Sequence, residues 1–92
     1  MKIYENISIL IEKKEIPKIE KQLKKQIPEL IKEFEIYYKT SEKIKIEYKF
    51  VENLKGFNCE GYLYYGNKLI KKYSDIDLLF LDINNMILKA LL

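Results

Sequence analysis

Residues 44–73, IKIEYKFVENLKGFNCEGYLYYGNKLIKKY, decide the fold. Ile44, Ile46, Tyr48 and Phe50 alternate with Lys45, Glu47 and Lys49, and a period of two sends the apolar set to one face of a strand and the charges to the other. Glu52-Asn53-Leu54-Lys55-Gly56 breaks the alternation with turn-forming residues. A second strand is expected from Phe57 to Tyr65. Gly66-Asn67 then suits a two-residue primed turn into a third strand, because a glycine leads the pair between two alternating runs.

That turn predicts a register. Tyr65 faces Lys68, Tyr64 faces Leu69, Leu63 faces Ile70 and Tyr62 faces Lys71, since opposite residues of an antiparallel pair share a side. One face then gathers Ile44, Ile46, Tyr48, Phe50, Phe57, Cys59, Leu63, Tyr65 and Ile70, an inventory suited to a core. The other gathers Lys45, Glu47, Lys49, Asn58, Glu60, Tyr62, Tyr64, Leu69, Lys71 and Tyr73. Helices should cover the first face and leave the second wet.

Upstream, Ile16, Ile19, Leu23, Ile27, Leu30, Phe34 and Tyr37 recur at intervals of three and four, which predicts a long amphipathic helix. Pro17 fits its first turn, where a missing N–H has no partner to lose. Pro28 falls inside the stripe and predicts a kink or a break near Gln26 to Pro28. Ile16-Pro17-Lys18-Ile19 is echoed by Ile27-Pro28-Glu29-Leu30, two copies where a repeat protein needs three or more. Residues 3–14 fit either a helical face or a strand edge, and the reading adopted is helix. After Tyr73, Ser74 is the expected N-cap, and Asp75 and Asp77 place negative charge at a helix N-terminus. Ile76, Leu79, Phe80, Ile83, Met86, Ile87, Ala90 and Leu91 keep the helical interval. Leu78, Leu81, Leu88 and Leu92 widen the apolar stripe and suggest a homodimer through the C-terminal helix.

The expected fold is therefore α+β: a three-stranded antiparallel meander packed on one face by a long kinked N-terminal helical segment and a C-terminal helix, order α(α)βββα. The 92 residues suffice for one domain spanning 1–92 and are too few for two cores.

All 17 basic residues are lysine, histidine is absent, and the formal charge is +3. A charge this small attracts polyanions weakly. Lacking arginine, the chain has no bidentate fork for phosphate or guanine. Lacking histidine, it can build no Ser-His or Cys-His nucleophile and few zinc sites. Cys59 alternates inward as a small hydrophobe rather than a nucleophile. Asp75, Asp77 and Asp82 have no calcium-loop spacing, and Gly56, Gly61 and Gly66 lie in or between strands rather than ahead of a helix. Gly61 inside a strand points to a bulge or close packing. No cofactor or metal is expected, and the chain reads as not an enzyme. One cysteine, no signal-like N-terminus and no apolar run near ~20 residues point to a reducing cytoplasm and no membrane span.

The order α-β-β-β-α is similar in topology to that of the double-stranded RNA-binding domain. In place of that domain's glycine-rich turn and lysine run stands Lys71-Lys72-Tyr73-Ser74-Asp75-Ile76-Asp77, whose aspartates repel phosphate. The function expected is that of a non-catalytic protein-binding module, which occupies a surface of a larger protein in the manner of small phage or mobile-element inhibitors such as anti-CRISPR proteins. Its partner-binding residues are Tyr62, Tyr64, Leu69, Lys71 and Tyr73. The alternative is RNA binding by the same Tyr/Lys face.

Overall fold

In the computed structural model, which describes residues 11–38 and 43–91, the meander forms where the alternation places it. Helix α1 spans Ile16–Tyr37, strands β1, β2 and β3 span Ile44–Asn53, Gly56–Tyr65 and Lys68–Tyr73, and helix α2 spans Ile76–Leu91. The strands lie in the order β1-β2-β3 as two antiparallel hairpins. Gly66 has φ 58°, the left-handed conformation a primed turn asks of its first residue, and Tyr65 faces Lys68 across it.

Both helices pack on one face. The buried cluster takes Leu23, Ile27 and Phe34 from α1, Ile44 and Ile46 from β1, Cys59 from β2, Tyr73 from β3, and Ile76, Leu79, Ile83 and Ile87 from α2. Leu79 and Ile83 are fully buried, each contributing roughly 1.5–3 kcal/mol of transfer free energy. Three tyrosines tie the layers together. Tyr48 donates from Oη to Glu20 Oε2 of α1 at 3.0 Å, Tyr73 to Asp82 Oδ2 of α2 at 2.7 Å, and Tyr38 to the Met86 carbonyl at 2.8 Å. Tyr38, not Tyr37, continues the buried stripe of α1, stacking on Phe34 with ring centroids 4.6 Å apart.

Four expectations need correction. The first concerns Pro28: α1 runs through it without a break. Pro28 and Lys24, whose carbonyl loses its partner, both lie on the exposed side, where water can replace the missing N–H. The second concerns residues 3–14. Ile11 forms an antiparallel bridge to Phe57, and helical turns begin only at Lys13–Glu15; the rest of that reading, residues 3–10, lies outside the described residues. The third concerns the cap of α2. Asp75, not Ser74, accepts the Asp77 N–H at 2.9 Å, while the Ser74 carbonyl takes the Asn58 amide.

The fourth is a register shift between β2 and β3. Tyr64 faces Leu69 as expected, but Leu63 faces Lys71 and Tyr62 faces Lys72, so Ile70 is the extra residue of a bulge. One inserted residue exchanges faces for everything after it. Ile70 becomes 51% exposed instead of core, and Tyr73, expected on the wet face, is 6% exposed and packed under the sheet. Tyr73 sits opposite Gly61 in the register. Gly61 itself marks close packing: a Cβ there would lie 3.1 Å from Ile76 Cγ1 and Leu79 Cδ1 and 3.2 Å from Ile76 Cα, so the glycine lets the start of α2 approach the sheet.

Candidate interaction surface

Three of the five residues expected to meet a partner share the uncovered face. The strand registers align Lys45, Tyr64 and Leu69 in one row across the sheet, Glu47, Tyr62 and Lys72 in the next, and Lys49 beside Glu60 in a third. None of these residues belongs to the buried cluster or packs against it. Leu69 is 46% exposed. Lys71 and Tyr73 leave the set because of the bulge: the Lys71 ammonium sits 3.5 Å from Asp82 and 4.9 Å from the Tyr73 ring centroid, serving the junction with α2.

Lys72 takes the place assigned to Lys71. No local pattern marks it: the bulge falls at Ile70, ahead of both lysines, and Lys71 and Lys72 still alternate beneath and above the sheet.

The face is electrically mixed and internally bonded. Lys72 Nζ lies 5.8 Å from the Tyr62 ring centroid and 3.8 Å from Glu60, whose other oxygen accepts the Tyr62 hydroxyl at 2.6 Å. Lys45 Nζ lies 5.2 Å from the Tyr64 ring centroid and 3.3 Å from Glu47. Exposed contacts of this kind are individually weak. The hydrogen bond to the Glu60 carboxylate raises the Tyr62 phenol pKa, so it stays protonated as a donor. An open depression of about 560 Å³ runs between Glu47 and Lys49 on one side and Tyr62 and Tyr64 on the other.

Elsewhere the titratable groups serve the fold. Burial, and then the charges of Asp75, Asp77 and Glu60, push the Cys59 thiol up to about 12, the direction opposite to that of an activated nucleophile. Among the described residues, no three His, Cys, Asp or Glu side chains converge to hold a metal ion, and no helix is long and apolar enough to cross a membrane. No protein-family model, curated protein or solved structure matches the chain.

Proposed function

We propose that the chain is a non-catalytic protein-binding module that occupies a surface of a larger protein through the sheet face bearing Tyr62, Tyr64, Leu69 and Lys72. The mode is that of small phage or mobile-element inhibitors, anti-CRISPR proteins among them, acting in the cytoplasm. One observation supports this reading: both helices lie on one side of a three-stranded sheet, and its other side presents two tyrosines and a leucine where a merely solvated face carries small polar residues. Tyrosine brings rigid apolar area and a water-tolerant hydroxyl, the properties that concentrate it in interface hot spots.

Protein is favoured over RNA by the groups around those rings. A base would have to stack where Lys45 and Lys72 already sit over Tyr64 and Tyr62, and its phosphates would pass Glu47 and Glu60. A protein partner can meet both signs of charge.

The test is double substitution of Tyr62 and Tyr64 by serine. The melting transition should stay near that of the parent, while recovery of a stoichiometric partner from the source cell is lost. A variant that folds and still recovers the partner refutes the assignment of the face. Tight binding of short RNA with a steep salt dependence, read by fluorescence anisotropy, would replace it with the RNA reading.

A further inference from the structure

The outer edge of β1 carries a self-complementary pattern that the face above does not use. Phe57 exchanges both main-chain hydrogen bonds with Ile11, at 2.7 and 2.8 Å, and so points its N–H and C=O away from β1. Its β1 partner Glu52 belongs to the same non-bonded pair and must point its own N–H and C=O outward. Alternation extends this to Phe50, Tyr48, Ile46 and Ile44. The inward bond from Gly66 N–H to the Lys43 carbonyl, 2.9 Å, fits the same phase. A ladder of main-chain donors and acceptors thus lines an edge strand of 10 residues, and none of the described residues bonds to it.

We propose that this edge pairs with the same edge of a second copy, antiparallel about a two-fold axis at Tyr48, to make a continuous six-stranded sheet. Charge selects both the occupant and the register. Centred on Tyr48, Glu47 of each copy faces Lys49 of the other, and Ile46 faces Phe50, so every pair near the axis is matched in sign or in apolarity. A shift of the centre to residue 47 opposes Glu47 to itself, and a shift to residue 49 opposes Lys49 to itself. A centre at residue 46 matches Glu47 with Lys45 but sets Lys43 against Lys49. Tyr48 is the right residue for the axis, because its main chain faces outward while its side chain is anchored inward on Glu20. Glu47 and Lys49 fall in the non-hydrogen-bonded pairs, where side chains lie closest. An edge strand left open is a template for pairing with another chain, and this pairing closes both.

The association is read on the purified chain by light scattering coupled to size exclusion and by sedimentation, up to millimolar concentration. The parent should reach twice the 11.1 kDa chain mass. Lys49→Glu and Glu47→Lys each place like charges opposite one another twice, and each alone should weaken the dimer by about tenfold or more. The two variants mixed should form a heterodimer, since the paired carboxylates of the Lys49→Glu chain then face the paired ammonium groups of the Glu47→Lys chain. The double variant, with the charges exchanged, should dimerise like the parent. Glu47, Lys49 and Leu88 are all exposed, so circular dichroism should show the parent fold throughout. A parent that stays monomeric overturns the proposal. So does a dimer that ignores both charge reversals, and so does one that dissociates with Leu88→Ser, which would put the contact on α2.

Discussion

The hydroxyl of Tyr73 donates to Asp82 Oδ2 at 2.7 Å, joining the edge strand of the sheet to the second turn of α2 from beneath. Burial first, and then this bond and the Asp82 charge, raise the phenol pKa well above 10. The consequence for stability has a definite sign. Below pH 10 the phenol is protonated in both folded and unfolded chains and adds no slope. Above it the unfolded chain loses the proton first, so the folded state binds more protons and stability falls as pH rises. Cys59, raised from 9.0 to about 12, adds a loss of the same sign that starts near pH 9.

Denaturant melts should therefore show a steady loss of stability above about pH 9 from these two groups. Tyr73→Phe should cost about 1–2 kcal/mol at pH 7 for the lost hydrogen bond, with Asp82 still facing Lys71, and should flatten the fall above pH 10. An alkaline profile of unchanged steepness in Tyr73→Phe would show that the phenol is not protected by the fold.

Gly61→Ala should destabilise the chain by about 1–3 kcal/mol, read from chemical denaturation. The added methyl meets the Ile76 main chain at 3.2 Å, and backbone at the first residue of a helix cannot step aside as the end of a long side chain can. In the Gly61→Ala background, Leu79→Ala should cost less than the ~2–5 kcal/mol it costs alone, because the new methyl fills part of the space that the leucine leaves. A neutral Gly61→Ala would mean that α2 can lift from the sheet at little cost.

Legibility in the sequence followed the range over which each pattern is set. The strand ladder from Ile44 to Tyr65 was readable, because alternation and a glycine-led turn are local and each fixes the next residue's side. The α1 and α2 stripes were readable for the same reason. Tyr73 was not, because its side depends on a single inserted residue at Ile70, and the residues after the bulge alternate as they would without it. The misplacement of Tyr73 carried Lys71 with it and hid Lys72, so two of the five expected partner residues proved to brace α2 instead. Pro28 misled in the other direction. Its cost depends on whether the orphaned carbonyl reaches water, and that depends on which side of α1 packs on the sheet, a tertiary fact.

Pro28→Ala tests that account. The substitution restores the N–H to the Lys24 carbonyl on an exposed side and requires no repacking of Ile27 or Phe34. Stability should rise by about 1–2 kcal/mol, less than the full cost of an interior proline, because the unfolded chain also regains freedom that proline had removed. Thermal and urea unfolding should agree on the sign. A clear destabilisation would show that the proline sets a helix geometry that the packing on β1 requires.

The last prediction concerns Asp75, which caps α2 by accepting the Asp77 N–H at 2.9 Å. Burial raises its carboxyl pKa, the hydrogen bond from Asp77 lowers it by less, and the Asp77 charge raises it further, so the net direction is up from 3.8. A carboxyl whose folded pKa is raised is more stable in the fold when protonated. Its unfavourable charge is absent at low pH and develops as pH rises through the folded value. The cap and the charge can be separated. Asp75→Ala removes the acceptor and should cost about 1 kcal/mol at pH 7. Asp75→Asn keeps an acceptor without a charge and should match or exceed the parent at pH 7, with its advantage shrinking as pH falls through the raised folded value toward 3.8 and the parent carboxyl becomes neutral as well. Equal losses for alanine and asparagine at pH 7 would show that the carboxylate charge, held at the positive end of α2, outweighs the cost of burying it.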